Sequence, residues 1–501
     1  MAHAVDAEFL AIPLGSLADA ALQRARDLGA DHADVRIERI RSEHVSLRDG
    51  SLQGAHEGQE LGLCVRVVVD GVWGFAAAGE LSTDAAVRAA ESAVAVARVS
   101  APVTRERIEL ATEPVHADRT WVSDYEQDPL AIPLADKVAL LADRSRRVLD
   151  HRSVDHVSAG LGQVVEQKFY ADLAGTSTTQ QRVRVNPAFE AHGASADGSR
   201  FDSMASLAPP AGRGWEYVTT GWDFDTELAE LGDHLAEKLE APTVEPGTYD
   251  LVVDPTNLWL TIHESIGHAT ELDRALGYEA NYAGTSFATW DRLGSLRYGS
   301  EHLHVTGDRT TPHGLSTIGF DDDGVETQSW DLVRDGTLVG YQVDRRTAAL
   351  KGIERSNGCA FADSPSHVPV QRMANVSLAA DPSGPDTAGL IAGVSDGIYV
   401  VGDRSWSIDM QRFNFQFTGQ RFFRIVDGRL AGQVRDVAYQ ATTTEFWGAM
   451  AAVGGPSTVR LGGTFNCGKA QPGQGAPVSH GCPSALFTGI RILNTAAESG
   501  R

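Results

Sequence analysis

The residues with the clearest chemical potential lie together near the middle of the chain. Residues 263–268 read H-E-S-I-G-H, so His263 and His268 flank a segment that begins with Glu264. Imidazole nitrogens are common zinc ligands, and a carboxylate beside the first ligand can deprotonate a water and later protonate a leaving amine. If both histidines bind one metal, this segment indicates a metal-dependent hydrolase.

The spacing of the two histidines places a condition on the element that carries them. A strand over 249–253 and a capped turn at 254–256 precede an apolar stripe, which predicts a helix through the motif. Histidines five positions apart diverge by about 140° on a regular α-helix, whereas positions i and i+5 align in a π turn. Gly267 tolerates such a distortion. The sequence therefore predicts a π-type bulge here; the alternative is two unrelated histidines on an amphipathic helix.

A glycine-rich segment near the C-terminus presents Cys467 close to Lys469. Residues 463–469 fit G-x-x-x-x-G-K, but Ala470 stands where a phosphate-binding loop needs Ser or Thr, and Pro472 prevents the helix that must follow. A second interpretation is a thiolate presented on a glycine-rich turn, with Lys469 nearby to favour its deprotonation. A soft thiolate with two imidazoles suits zinc. The alternative is a small, buried and inert cysteine.

Composition narrows the remaining classes of function. The 501 residues include 43 Lys+Arg and 67 Asp+Glu, a net charge of −24, which disfavours phosphate backbones and anionic membranes as partners. Four cysteines are too few for a disulfide scaffold. No apolar run long enough to span a bilayer occurs, and the first eleven residues do not read as a secretory signal. The sequence predicts a cytoplasmic protein with no direct nucleic-acid or membrane partner.

Apolar periodicity predicts an α+β fold in three parts. Residues 1–100 and 101–245 each mix helical stretches with alternating strand-like runs, and 242–247 reads as a linker. After it, short alternating segments and frequent turns predict an antiparallel β-rich, barrel-like domain over 246–501, which bears the metal-binding helix. The turns are predicted from four Asp-Gly pairs: Asp323-Gly324, Asp335-Gly336, Asp396-Gly397 and Asp427-Gly428.

The motifs together resemble those of the TldD/PmbA family, also called modulator-of-gyrase proteins. The resemblance rests on H-E-x-x-x-H after a strand and turn, with C-G-K about two hundred residues later. Further stretches agree in order along nearly the whole chain: 29–36, 71–75, 318–324, 340–341 and 372–375. Because the TldD-type subunit keeps both motifs and the PmbA-type (TldE) subunit lacks the metal site, the chain resembles the TldD-type catalytic subunit.

This resemblance implies a site and an activity. It implies that His263, His268 and Cys467 bind Zn²⁺, and that Glu264 is the general base and acid. The implied activity is a metalloprotease that hydrolyses small or unfolded peptides, with the substrate lying as an added β-strand. The implied partner is a metal-free TldE/PmbA-type paralogue, which forms a heterodimer around a hollow chamber.

Several positions depart from the family pattern. Cys359 stands where an arginine usually follows Asn-Gly, and residues 402–411 replace a stretch that is often glycine-rich. His480 and Cys482 are also unusual; they are either alternative ligands, if Cys467 points away, or loop residues. These departures bear on substrate choice and not on the metal core. Two other functions also stay open: a non-catalytic subunit that regulates a protein partner, and a metal-dependent amidase on a modified peptide.

Overall fold

The computed structural model describes residues 4–498, which form two sheet-based parts. Residues 1–3, which belong to the N-terminal stretch that does not read as a secretory signal, lie outside this range. Within it, no helix is long and apolar enough to cross a membrane.

One twisted sheet dominates the first half of the chain. Its strands are β1 (His32–Arg48), β2 (Ser51–Val69), β3 (Val72–Ala78), β4 (Arg119–Val122), β5 (His156–Asp172), β6 (Ser177–Ala194) and β7 (Phe201–Ala205). Their order is β3-β2-β1-β5-β6-β4, and β7 pairs with β6. Since β1 pairs with both β2 and β5, the proposed division at residue 100 cuts through one continuous sheet.

Helices pack on this sheet through buried apolar side chains. They are α1 (Ala7–Leu10), α2 (Leu14–Asp27), α3 (Thr83–Ser100), α4 (Leu134–Leu149) and α5 (Phe224–Glu240). α3 packs so closely on β3 that a Cβ on Gly74 would lie 1.9 Å from the carbonyl oxygen of Ala93. Only glycine allows this approach, which explains the glycine within a strand.

The second half of the chain is built mainly from short strands. They are β8 (Gly247–Val253), β9 (Val305–Asp308), β10 (Ser329–Arg334), β11 (Thr337–Leu338), β12 (Ala360–Phe361), β13 (Val370–Gln371), β14 (Asn375–Leu378), β15 (Asp396–Ile408), β16 (Asn414–Val426), β17 (Arg429–Val434), β18 (Val437–Thr442), β19 (Met450–Val453), β20 (Arg460–Lys469), β21 (Gln474–Cys482) and β22 (Ala485–Asn494). The helices between and after them are α6 (Pro255–Ile262), α7 (Leu272–Ala275), α8 (Arg345–Leu350), α9 (Thr387–Ala392), α10 (Thr443–Gly448) and α11 (Thr495–Glu498).

Five of these strands close into a barrel. The order β15-β8-β22-β18-β16 returns to β15 through a further β15–β16 pairing, and every pair is antiparallel except β8–β15. The α+β fold with a barrel-like C-terminal part is therefore confirmed. The Asp-Gly turns are confirmed at Asp335-Gly336 and Asp427-Gly428, where both residues have positive φ. Asp396-Gly397 was wrongly predicted as a turn, because Asp396 begins β15.

The two parts meet through buried charges. On β1, Arg36 donates to Asp322 at 3.1 Å, and on β5, Lys168 donates to the same carboxylate at 2.8 Å. Arg66 of β2 pairs with the neighbouring Asp323 at 2.6 Å. Glu38 lies 3.2 Å from Lys168 within the same network. The contacts of Arg36, Lys168 and Arg66 with Asp322 and Asp323 join the first sheet to the loop between β9 and β10, so ion pairs connect the two parts.

Candidate metal centre

The predicted motif lies where helix α6 changes its geometry. Asp254 caps the helix by accepting from the backbone N–H of Thr256 at 3.0 Å. The helix ends at Ile262, residues His263–Gly267 form a π turn, and a 3-10 turn follows. This confirms the predicted bulge. The rings of His263 and His268 lie 4.6 Å apart between centroids as a result.

Side chains from other elements hold this irregular turn. The amide of Gln342 donates to the carbonyl of Gly267 at 2.7 Å, and Thr270 Oγ1 donates to the carbonyl of Ile266 at 2.9 Å. These bonds satisfy carbonyl groups at the distorted end of the helix. A Cβ on Gly267 would lie 2.5 Å from Sδ of Met373, so any larger residue here would require the Met373 side chain to move.

The hairpin β20–β21 brings the third candidate ligand to this turn. The register of the hairpin shifts between Thr464 and Cys467, and such a bulge re-aims the side chains that follow it. Sγ of Cys467 lies 3.6 Å from Nε2 of His268. One ligand atom from each of His263, His268 and Cys467 lies within 4.8 Å of the other two. The structure thus brings together the three residues that the sequence predicted as ligands.

Burial and neighbouring charged groups shift the pKa values of these three groups. It holds the pKa of His263 and of His268 below the ordinary histidine value. Burial raises the pKa of the Cys467 thiol, but His268 and Arg372 outweigh it and the net pKa lies below the usual range. A metal binds neutral imidazoles and a thiolate, and the directions of these pKa shifts favour those donor states.

Lys469 has a different task from the one predicted. Its ammonium group donates to Asp273 at 2.7 Å and to Glu271 at 3.3 Å, and its side chain is fully buried. The shift of the Cys467 pKa comes from His268 and Arg372 instead. Lys469 therefore compensates a buried pair of carboxylates.

One of these two carboxylates, that of Glu271, also contacts His268. Glu271 Oε2 lies 2.9 Å from Nδ1 of His268 and also accepts from Arg274 at 3.1 Å. Burial raises the pKa of Glu271, but Lys469, His268 and Arg274 outweigh it and hold the pKa well below the ordinary value. Glu271 is thus an ionised acceptor that orients the His268 ring.

Glu264 directly follows His263 in the chain, and its carboxylate has a cationic partner. Arg412, in the turn between β15 and β16, donates to its Oε2 at 2.5 Å, and the same guanidinium donates to the carbonyl of Ala283 at 3.1 Å. Glu264 is about 5% exposed, so the carboxylate is nearly removed from solvent. The barrel loop therefore determines which way this carboxylate faces.

The other cysteine and histidine candidates make different contacts. His480 is buried behind His263, with its Nε2 2.8 Å from Nδ1 of that ring. Cys482 donates from Sγ to the carbonyl of Pro255 at 3.5 Å. Cys359 is buried elsewhere, and burial raises the pKa of its thiol to about 12. Since Cys467 points toward the histidines, neither His480 nor Cys482 takes its place.

Sequence reasoning missed four residues that shape the site. Glu271 was detectable in principle, because it follows His268 by three positions and can reach the same ring. Gln342 and Arg412 gave no signal, since each is distant in sequence from the motif. For Arg372, the sequence revealed only a family-like stretch, whereas the structure shows it donating to the carbonyls of Cys467 and Gln474.

A buried set of two imidazoles and a thiol beside a carboxylate, on a barrel-supported helix, is typical of metal-dependent hydrolases. Residues 246–494 match the PmbA/TldA metallopeptidase C-terminal domain, and residues 33–97 match domain 1 of the same family. The chain belongs to the PmbA/TldD family of metallopeptidases.

Individual relatives agree over nearly the full length. A metalloprotease of Methanothermobacter thermautotrophicus is 29% identical over 93% of this chain and 94% of its own. A zinc metalloprotease TldD homologue of Saccharolobus solfataricus is 22% identical over 84% of this chain and 88% of its own. The crystal structure of TldE from Thermococcus kodakarensis has the same fold, with a TM-score of 0.69 at 16% identity, and covers 95% of this chain and 99% of its own.

Proposed function

We propose that this protein is a zinc-dependent peptidase that hydrolyses peptide bonds in small or unfolded peptides. The proposal rests on the convergence of His263, His268 and Cys467 within 4.8 Å of one another. It also rests on the burial of Glu264, which directly follows His263 in the chain. The proposal is also supported by membership in a family of metallopeptidases and by a relative that is named as a zinc metalloprotease.

The donor set fits zinc in number and in chemistry. Catalytic zinc sites use three protein ligands and keep one position open, and imidazole with thiolate is a known combination. When bound, zinc acts as a Lewis acid that activates a water and polarises the scissile carbonyl. His263, His268 and Cys467 would hold the ion, and the low pKa of the thiol favours its binding as thiolate.

Glu264 moves the proton in the proposed reaction. Its carboxylate takes a proton from the attacking water as the oxygen bonds to the carbonyl carbon. The carbon–nitrogen bond then breaks, and Glu264 returns the proton to the leaving amine, so that a carboxylic acid and an amine result. The acid then releases its proton to solvent. Arg412 engages Oε2, and we assign the proton transfer to Oε1. The burial of Glu264 strengthens the electrostatic part of this step.

We infer that the active form contains a second, metal-free subunit of the TldE/PmbA type. The inference is supported by the shared fold with a TldE structure over 95% of this chain and by the candidate ligands that this chain carries. A paired subunit would enclose the site and restrict it to flexible peptides. In this arrangement the present chain is the catalytic subunit of the heterodimer.

The test is metal content and hydrolysis by the chain purified with that partner. We expect about one zinc per chain. Glu264→Gln should retain the metal and lose at least about 100-fold in the rate of cleavage of unstructured peptides. Glu301→Gln, at an exposed position, is the matched control and should cleave at the wild-type rate.

Each rival function predicts a different result. A subunit that only regulates a protein partner would keep its function in the Glu264→Gln variant. A dedicated amidase would cleave one modified peptide and leave a panel of unrelated unstructured peptides intact. Absence of metal from the wild-type complex, or normal cleavage by Glu264→Gln, would overturn the proposal.

A further inference from the structure

His480 lies in β21 directly behind the first candidate ligand. Its side chain is fully buried and stacks on the indole of Trp259, with 6.1 Å between ring centroids and 15° between planes. Its two ring nitrogens both have partners: Nδ1 lies 2.8 Å from the carbonyl oxygen of Val376, and Nε2 lies 2.8 Å from Nδ1 of His263. The ring is therefore fixed in position and in orientation.

The donor and the acceptor in each of these two hydrogen bonds follow from the carbonyl group of Val376. The carbonyl of Val376 can only accept, so Nδ1 of His480 carries the hydrogen and donates. In a neutral imidazole the other nitrogen, Nε2, then holds a lone pair and accepts. Its partner, Nδ1 of His263, must donate. That leaves Nε2 of His263 without a hydrogen and with its lone pair directed away from His480.

We propose that His480 is a positioning residue that locks His263 in the Nδ1–H form and so presents Nε2 as the metal ligand. This inference rests on the proposed metal site and names a residue that supports it. A histidine that binds a metal through one ring nitrogen usually donates a hydrogen bond from the other nitrogen to a carboxylate, a backbone carbonyl or water. Here a second imidazole, itself anchored on Val376, supplies that acceptor.

The two candidate histidine ligands therefore have different supports. His268 is oriented by the ionised Glu271, whereas His263 is oriented by the neutral His480. Because His480 is a neutral acceptor, it adds no negative charge near Glu264, which directly follows His263 in the chain. His480 thus orients one ligand and leaves the charge around the proton-transfer carboxylate unchanged.

The test compares two substitutions of His480 in the chain with its partner subunit. His480→Gln keeps an amide oxygen that can accept from Nδ1 of His263, whereas His480→Leu keeps the volume and removes the acceptor. Zinc affinity is measured by competition with a chromophoric chelator. The absorption spectrum of the cobalt(II)-loaded protein reports ligand geometry. We expect about 10- to 100-fold weaker zinc binding and an altered cobalt spectrum for Leu, and recovery to within about threefold for Gln.

Cys482→Ser is the matched control, because Cys482 is buried in the same strand and donates to Pro255 instead. It should bind zinc as the wild type does. Equal zinc affinity in His480→Leu and wild type, or equal losses in the Leu and Gln variants, would overturn the positioning role. Lack of metal in the wild type would overturn the proposed site as well, so the two failures are distinct.

A measurement on the unmutated protein covers the case in which His480→Leu does not fold. In protein loaded with cadmium-113 and labelled with nitrogen-15 in its histidines, coupling between the two nuclei identifies the bound ring nitrogen. We expect coupling to Nε2 of His263. Coupling to Nδ1 would contradict the hydrogen-bond chain and overturn the proposal.

Discussion

The guanidinium of Arg412 donates to Oε2 of Glu264, although the two residues lie 148 positions apart. The contact joins the turn between β15 and β16 to the π turn that follows α6. Burial lowers the pKa of Arg412, and Glu264 opposes this shift. The pair determines the orientation of the carboxylate to which we assign proton transfer.

Removing this guanidinium should impair the reaction more than substrate binding. Arg412→Gln frees the Glu264 carboxylate to rotate, and a misplacement of about 1 Å costs on the order of 100-fold in rate. We expect kcat to fall about 10- to 100-fold with KM and zinc content little changed. Arg404→Gln, in β15 with its partners at Asp202 and Ser203, is the control. A full kcat in Arg412→Gln would contradict the assignment.

The close packing of Gly267 on Met373 predicts energetic coupling between them. A methyl group at position 267 would lie 2.5 Å from Sδ of Met373, and overpacking of this kind costs about 1–3 kcal/mol. Gly267→Ala should therefore lower the melting temperature. Because Met373 has a flexible side chain, the double variant with Met373→Ala should be less destabilised than the sum of the single variants. Strict additivity in thermal unfolding would refute this contact.

Glu38 predicts that stability falls as pH rises. Burial raises the pKa of its carboxyl to about 7, although Lys168 and Arg36 oppose the shift. Between the unfolded value of 4.5 and about 7, the folded protein holds a proton that the unfolded chain has released. Each pH unit in this window costs about 1.4 kcal/mol of unfolding free energy. The melting temperature of Glu38→Gln, relative to wild type, should therefore rise from about pH 5 to about pH 8.

Glu166 lies in the same network and predicts the opposite sign. Burial raises the pKa of its carboxyl, but Arg182, Lys168 and Arg184 outweigh it and hold the pKa well below the usual value. Its stabilisation is present above the unfolded value of 4.5 and is lost as pH falls. Glu166→Gln should therefore melt below wild type at neutral pH, with the difference shrinking in acid. Parallel pH trends in the two variants would contradict these assignments.

Removal of the metal should loosen the hairpin β20–β21 more than the first sheet. The candidate ligands come from two segments, the end of α6 and β20, so a bound ion cross-links them. We expect a chelator to speed hydrogen exchange in residues 460–482 and around the π turn, with β1 and β5 unchanged. In Cys467→Ser the chelator should add little. A uniform change along the chain would count against a local cross-link.

Several local features of the fold were predictable because they depend on neighbouring residues. The π turn follows from the need to align histidines five positions apart, with Gly267 available to relieve crowding. Asp335-Gly336 and Asp427-Gly428 form turns in which the aspartate and the glycine of each pair have positive φ, a backbone region that these two residue types tolerate. Asp396-Gly397 did not, because Asp396 and Gly397 pair with Val426 and Ile425 of β16. Tertiary pairing there overrides a local preference.

The sequence by itself determined the types of the candidate ligands, the spacing of the two histidines and the helix that must distort to align them, since these depend on residue chemistry and on one local segment. Only the tertiary structure decided what surrounds them. In the folded protein Lys469 donates to Glu271 and Asp273 and not to the Cys467 thiol. Arg412 donates to Glu264, and His480 contacts the ring of His263. The physical reason is that a buried charge or ring nitrogen takes its partner from whichever element packs against it, and packing joins residues far apart in the chain.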